Sequence, residues 1–241
     1  MKSISTPAGH RAPSRCGFTL LELLAVIAAV GVLGTLLIIA SGRVRSMADN
    51  AACLGNLRQW GVALQLYIGE HGGDLPRRGQ GVRPVWMVDR GEDWINALPP
   101  YLGLPSYQKL YEDGEAPEPG DHSVFVCPTA EDSGHQHFIS YGMNMYLSPW
   151  IRPTPHNAYE LPDTSALAFL ADGPCGWTST IPSNQDYSVQ ARHFGRANVV
   201  FVDGHVSSFD GGYLGCGSGN ESLPGIRWET ETGGINQAHM P

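Results

Sequence analysis

The sequence predicts an α+β protein in which one long amino-terminal helix packs on a small antiparallel β-sheet. A twenty-residue uncharged run, Leu23 to Gly42, lies near the amino terminus and is followed by an amphipathic pattern. Short runs of β-branched and aromatic residues, separated by turn dipeptides such as Asp-Gly, occupy the second half of the chain. The 30 Gly and 18 Pro among 241 residues favour a loop-rich domain over a helical bundle.

The apolar run is long enough to cross a membrane. At about 1.5 Å of rise per residue, twenty residues span about 30 Å, the thickness of a bilayer's hydrocarbon core. We therefore expect residues 18–42 to form a transmembrane helix. A cleaved secretory signal is the alternative, since "IIASG" offers small residues to a signal peptidase, although such signals usually have about 7 to 15 apolar residues. Glu22 lies at the start of the run, and a carboxylate near the bilayer core costs about 2.5 kcal/mol or more, so it needs a partner.

The helical pattern continues beyond the apolar run. Residues 43–71 are predicted to form the amphipathic half of the same helix, and His71-Gly72-Gly73 predicts its end. Its apolar stripe recurs at steps of three, four and seven and consists of Val44, Met47, Ala51, Leu54, Leu57, Gly61, Leu64 and Ile68.

Residues 74–241 are predicted to form a globular domain with an antiparallel sheet and a Gly-rich carboxy-terminal tail. A short helix is expected from Trp94 to Leu102. The predicted strands are Ser123 to Cys127, Ile139 to Tyr146, Ala166 to Ala171, Val189 to Phe194, Val199 to Val202 and His205 to Phe209. Gly195 to Asn198 and Asp203-Gly204 are the predicted turns within the last three strands.

Charge and motif content argue against two classes of function. The formal net charge of -8 argues against a nucleic-acid partner, which would require a basic face. The chain contains no G-x-S-x-G, H-E-x-x-H or Gly-rich phosphate loop, so the sequence predicts a protein that is not an enzyme.

The segment "GFTLLE", residues 17–22, is preceded by basic residues and followed by the apolar run. It resembles the class III signal of type IV prepilins and type II secretion pseudopilins. The resemblance implies a pilin-like fold and a leader, residues 1–17, that prepilin peptidase removes after Gly17. The new amino-terminal residue, Phe18, would be methylated, and Glu22 would become the fifth residue of the mature chain. Glu22 would then face the Phe18 amine of a neighbouring subunit, with pairing inside one subunit as the alternative.

Three other segments are similar to a pseudopilin-like group of Planctomycetes and Verrucomicrobia. They are "CLGNLRQWGVALQLY" from Cys53, "FVCPTA" from Phe125, and a histidine followed after nine residues by Asp-Gly, here His193 and Asp203-Gly204.

The resemblance implies a structural subunit of a type II secretion pseudopilus or type IV pilus-like filament. Its helix would lie in the inner membrane and its domain in the periplasm. Its partners would be prepilin peptidase, other pilin or pseudopilin subunits and the inner-membrane assembly platform. Basic residues flank the apolar run on both sides, so orientation also rests on the resemblance. The alternatives are a membrane-anchored periplasmic binding domain or metal-dependent enzyme, or a minor tip subunit or adhesin that uses its tryptophan-rich loops.

The five cysteines contain no C-x-x-C pair, which excludes zinc-finger spacing. Cys53 and Cys127 lie in the segments that recur in the pseudopilin-like group, so one disulfide is predicted between them. That pairing leaves a second disulfide for Cys175 and Cys216. It is one of three pairings among the four, and buried free thiols are the alternative.

A metal site is the remaining prediction. Asp172, His193, Asp203 and His205 are candidate ligands, because two Asp-Gly turns can bring them together. Calcium is the ion that the resemblance implies, since major pseudopilins hold calcium in a carboxy-terminal loop. The alternative is that the Asp-Gly pairs serve only as turns, and the sequence requires no cofactor.

Overall fold

The computed structural model describes residues 19–78, 90–131, 139–148, 155–176, 179–180, 188–216 and 226–228. The chain divides into two compact units, Met1–Arg45 and Ser46–Pro241. Gly17 and Phe18, the predicted processing site, lie outside the described residues, as does most of the predicted Gly-rich tail.

Helix α1 spans Leu20–Glu70, as the sequence predicts. It ends at the predicted point, where Gly72 and Gly73 adopt positive φ angles of 63° and 98°. The amide of Gly73 donates to the carbonyl of Ile68 at 2.9 Å, which satisfies one of the last helical acceptors. A glycine adopts this left-handed backbone without the steric penalty that a Cβ brings.

In the first unit, α1 exposes its large apolar side chains. Over this stretch the helix is long and apolar enough to cross a membrane. The exposed side chains are Leu20, Leu21, Leu23, Leu24, Val26, Ile27, Val30, Val32, Leu33, Leu36, Leu37 and Ile38. A surface of this extent indicates contact with lipid or with other proteins.

In the second unit, α1 buries one face against the domain. The predicted stripe is confirmed from Leu57 through Leu64 to Ile68, which are all buried. It is wrong at its start, because Val44 and Met47 are exposed. The buried face begins instead at Cys53 and continues through Leu57, Trp60, Ala63, Leu64, Tyr67 and Ile68.

Within the described part of the chain the sheet has five strands, in the order β3-β1-β2-β4-β5. The strands are β1 Tyr141–Asn144, β2 Ala168–Asp172, β3 Ser179–Thr180, β4 Arg196–Phe201 and β5 Val206–Asp210. Strands β1, β2, β4 and β5 pair antiparallel, which confirms an α+β fold with a small antiparallel sheet. The two-residue strand β3 pairs parallel to β1, which the sequence does not predict.

The predicted strand from Ser123 to Cys127 is wrong. This segment forms turns, and the amide of Val126 donates to the carbonyl of Ser123 at 3.1 Å. The side-chain amide of Asn56, on α1, donates to the carbonyls of Ser123 and Val126 at 3.1 and 2.9 Å. Two of the segment's carbonyls therefore bond to a helix side chain instead of a neighbouring strand.

The predicted strand from Val189 to Phe194 is also wrong. His193 and Arg196 exchange two backbone hydrogen bonds of 3.0 Å, with Phe194 and Gly195 at positive φ between them. This two-residue turn places Arg196 at the start of β4, inside the connection predicted over 195–198. The amide of Gln190 donates to the carbonyl of Asp172 at 2.8 Å, so the segment before the turn contacts the end of β2.

Short helices and buried aromatic rings complete the domain. The helix predicted from Trp94 to Leu102 consists of α2, Trp94–Ala97, and a 3-10 turn, Pro99–Leu102. Helix α3 spans Tyr107–Glu112 and α4 spans Gly211–Leu214. Trp94 and Trp228 are buried in the core. Three other tryptophans, Trp86, Trp150 and Trp177, lie outside the described residues.

Candidate functional site

Glu22 has a partner at the start of α1. The amide and hydroxyl of Thr19 both donate to Glu22 Oε2 at 2.9 Å, and the amide of Glu22 donates to Thr19 Oγ1 at 3.2 Å. This reciprocal arrangement is a capping box, and it places a carboxylate at the positive end of the helix dipole. The Thr-x-x-Glu spacing is visible in the sequence, but sequence reasoning considered it only as part of a processing signal.

A second group of functional side chains lies inside the domain. One ligand atom from each of Cys53, Cys127, Asp172 and His193 lies within 4.8 Å of every other. We call these four residues the buried cluster, because none is more than 2% exposed.

Each member of the buried cluster comes from a different element. Cys53 lies on the buried face of α1, one turn before Leu57, and Asp172 ends β2. Cys127 follows the Ser123 turn, and its amide donates to the hydroxyl of Ser140. His193 opens the tight turn before β4.

The contacts within the buried cluster join sulfur, carboxylate and imidazole. The thiol of Cys53 donates to Asp172 Oδ1 at 3.2 Å. His193 Nε2 lies 3.3 Å from Cys127 Sγ and 3.4 Å from Asp172 Oδ2. The amide of Asn198 also donates to Asp172 Oδ2, at 2.8 Å, and holds that carboxylate in place.

Polar side chains surround the cluster. The hydroxyl of Tyr141 donates to Cys53 Sγ at 3.3 Å. Thr129 Oγ1 lies 3.2 Å from Cys127 Sγ and 3.5 Å from His193 Nδ1, the other ring nitrogen.

The surroundings within the cluster shift the pKa values of the two cysteines in opposite directions. Burial is the main cause that raises the pKa of Cys53. The neighbouring Cys53 and His193 side chains lower the pKa of Cys127 to about 5, against the opposing effect of burial. Burial alone would lower the pKa of His193, but its hydrogen bonds with Asp172 and Cys127 raise it to about 9.

No protein-family model, curated protein or solved structure matches this chain. The likeness to prepilins and pseudopilins thus depends on the sequence motifs described above.

The structure separates the four predicted metal ligands into two pairs. Asp172 and His193 come together in the buried cluster, but Asp203 and His205 do not join them. Instead, Asp203 Oδ1 lies 2.6 Å from His205 Nδ1 and 3.1 Å from the amide nitrogen of His205, in the turn before β5. The structure therefore does not bring the four predicted ligands into one site.

The Asp-Gly turn after His193 packs on α1. A Cβ added to Gly61 would lie 2.3 Å from the carbonyl oxygen of Gly204. Gln65 Nε2 donates to the carbonyl of Val202 at 2.8 Å, one step before the turn. In the recurring motif, His193 thus lies in the buried cluster, whereas Asp203-Gly204 lies against α1.

Among the residues that the structure describes, neither predicted disulfide, Cys53–Cys127 or Cys175–Cys216, is formed. Cys53 and Cys127 do come together, as the predicted pairing requires, but their sulfurs contact Asp172 and His193. Sequence reasoning assigned the two cysteines to a disulfide and the Asp and His to a metal site. The structure places all four in one cluster.

Proposed function

We propose that this chain is a structural subunit of a type II secretion pseudopilus or type IV pilus-like filament. Helix α1 carries the proposal. Leu20–Glu70 is one unbroken helix that exposes large apolar side chains in its first part and buries Leu57, Trp60 and Leu64 in its last part. A membrane-inserted subunit needs an apolar surface of this kind, first for lipid and then for the helices of its neighbours.

Assembly begins with processing at the inner membrane. Prepilin peptidase cuts after Gly17 and methylates Phe18, and the assembly platform adds the subunit to the growing filament with its domain in the periplasm. The new Phe18 amine is a positive charge near the membrane. Its partner is Glu22 of a neighbouring subunit, because an unpaired charge in a low-dielectric environment is costly. In the single chain, the amide and hydroxyl of Thr19 donate hydrogen bonds to this carboxylate.

The geometry of the buried cluster favours this structural role over a metal-dependent enzyme. Its four side chains are at most 2% exposed, so a substrate has no access to them. A membrane-anchored binding domain remains the second candidate, since it needs the same span but no assembly.

Mass spectrometry of the mature amino terminus tests the processing step. We expect the chain isolated from its own membrane to begin at methylated Phe18. A chain that begins after Gly42, without the apolar helix, would exclude a filament subunit.

Glu22 variants test the assembly step and separate it from helix capping. Glu22→Gln keeps a residue type that completes a capping box but removes the charge. Thr19→Ala removes the cap, at a cost of about 1 kcal/mol at the helix start, but keeps the carboxylate. We expect filament assembly to fall in Glu22→Gln and to persist in Thr19→Ala, with processing of both variants checked by mass spectrometry. Normal assembly of processed Glu22→Gln would refute the charge pairing.

A further inference from the structure

We infer that Cys53, Cys127, Asp172 and His193 form a structural binding site for a divalent cation of the zinc class. The site would connect α1 to the sheet and to the two loops that carry Cys127 and His193. The inference goes beyond a filament role and does not depend on it, because it concerns how the domain is held together.

The spacing of the donor atoms fits a tetrahedral ion. With Zn–S bonds of about 2.3 Å and Zn–N or Zn–O bonds of about 2.0 to 2.2 Å, tetrahedral ligand atoms lie about 3.3 to 3.8 Å apart. The buried cluster shows 3.2 Å from Cys53 Sγ to Asp172 Oδ1, 3.3 Å from Cys127 Sγ to His193 Nε2, and 3.4 Å from Asp172 Oδ2 to that nitrogen. All four donors lie within 4.8 Å of one another, so small shifts suffice to close them around one ion.

The direction of the contacts distinguishes a metal site from a catalytic triad. In a Cys-His-Asp triad, the thiol and the carboxylate bind opposite nitrogens of the imidazole. Here Cys127 Sγ and Asp172 Oδ2 both approach Nε2 of His193, and the opposite nitrogen faces Thr129. The sulfur, the carboxylate oxygen and Nε2 thus lie around one common point, which is how the ligands of a shared ion are arranged.

The donor chemistry selects the ion. Two sulfurs and an imidazole suit zinc, whereas calcium takes oxygen ligands. The cluster therefore does not suit the calcium that the resemblance to pseudopilins implies. Two thiolates and a carboxylate around a divalent ion leave one negative charge. Arg192 places a positive charge beside the cluster, since its guanidinium donates to the carbonyl of Gly173, the residue directly after Asp172.

The surrounding residues resemble the outer shell of a metal site. Metal-binding histidines usually donate their second ring N–H to a neighbouring acceptor, and His193 Nδ1 lies 3.5 Å from Thr129 Oγ1. Tyr141 and Asn198 approach Cys53 Sγ at 3.3 and 3.5 Å as donors, which favours its thiolate form once an ion is bound.

The rival state is a disulfide between Cys53 and Cys127. An S–S bond of about 2.05 Å would consume both thiolates and leave His193 and Asp172 without their sulfur partners. A metal ion bound by both cysteines and a disulfide between them cannot coexist. Metal analysis and disulfide mapping of one preparation of the protein therefore distinguish the two states.

The test uses the full chain, purified in detergent without chelators or added reductant. We expect about one zinc per chain by elemental analysis after dialysis, which is the stoichiometry of a single four-ligand site. Replacement by Co²⁺ should produce thiolate-to-cobalt charge-transfer absorption and the visible bands of a tetrahedral ion.

Matched variants connect the metal to these side chains. Cys127→Ser and His193→Gln should lose zinc and the charge-transfer absorption. Cys216→Ser and His205→Gln remove the same residue types outside the buried cluster and should keep both. Equal metal content in Cys127→Ser and in the unaltered chain would refute the site.

The unaltered chain decides the question even where a ligand variant does not fold. A chain that carries no zinc and does not bind Co²⁺ through sulfur would overturn the inference. So would a Cys53–Cys127 disulfide in the non-reduced peptide map of that same metal-free preparation.

Discussion

The contact between α1 and the Asp203-Gly204 turn predicts different effects for two glycine substitutions on one helix. A Cβ on Gly61 would lie 2.3 Å from the carbonyl oxygen of Gly204 and 3.1 Å from its carbon. Both are backbone atoms, so they cannot rotate away as a flexible side chain can. At Gly55, two turns earlier, a Cβ meets no atom within 4 Å.

The two substitutions share one energy term and differ in another. Replacing glycine by alanine within a helix stabilises the protein by up to about 1 kcal/mol. At Gly61 the overpacked contact opposes this gain with a cost of about 1 to 3 kcal/mol. Gly55→Ala should therefore raise the free energy of unfolding and Gly61→Ala should lower it or leave it unchanged, with a difference of about 1 to 3 kcal/mol.

Urea unfolding of the full chain in detergent, followed by tryptophan fluorescence, measures both variants against the original protein. The slope with denaturant should stay constant, so that a shift in midpoint reports stability alone. If Gly61→Ala stabilises the protein as much as Gly55→Ala, the Asp-Gly turn does not pack on α1 as described.

Two further substitutions test the core and the surroundings of the buried cluster. Trp60→Phe removes the indole N–H that donates to the carbonyl of Val124 at 2.9 Å. Because the buried carbonyl is then left without a donor, the free energy of unfolding measured with urea should fall by about 1 to 3 kcal/mol. Leu66→Ala, at an exposed position of the same helix, should change stability by less than about 0.5 kcal/mol, and an equal loss in both would contradict the assignment. Thr129→Val removes the hydroxyl beside Cys127 Sγ and His193 Nδ1, and should weaken Zn²⁺ binding roughly tenfold in competition with a chromophoric chelator. Unchanged affinity would show that Thr129 is not an outer-shell residue.

Sequence reasoning succeeded where the determining interactions are local. The apolar run and the His71-Gly72-Gly73 stop predict α1 within two residues, because helix formation and termination depend on neighbours three to five positions apart. The predicted runs Ala166 to Ala171 and His205 to Phe209 correspond to β2 and β5, and the Asp203-Gly204 turn between β4 and β5 lies where predicted.

Sequence reasoning failed where a distant side chain forms the hydrogen bonds of the backbone. Ser123 to Cys127 has the composition of a strand, but Asn56 binds its carbonyls across 67 and 70 residues of sequence. The predicted start of the buried stripe on α1 was wrong for a related reason. Periodicity shows which residues share a face of α1, but only the position of the sheet decides where that face becomes buried.

The sequence by itself therefore determined the helix, its end, most of the strands and the chemical types available for a site. Only the tertiary structure decided which of those residues meet. Cys53 and Asp172 are 119 residues apart and Cys127 and His193 are 66 apart, so no local spacing marks them as partners. They meet because the buried face of α1, the end of β2 and two tight turns pack into one core. That packing brought together residues that sequence reasoning had divided between a disulfide and a metal site.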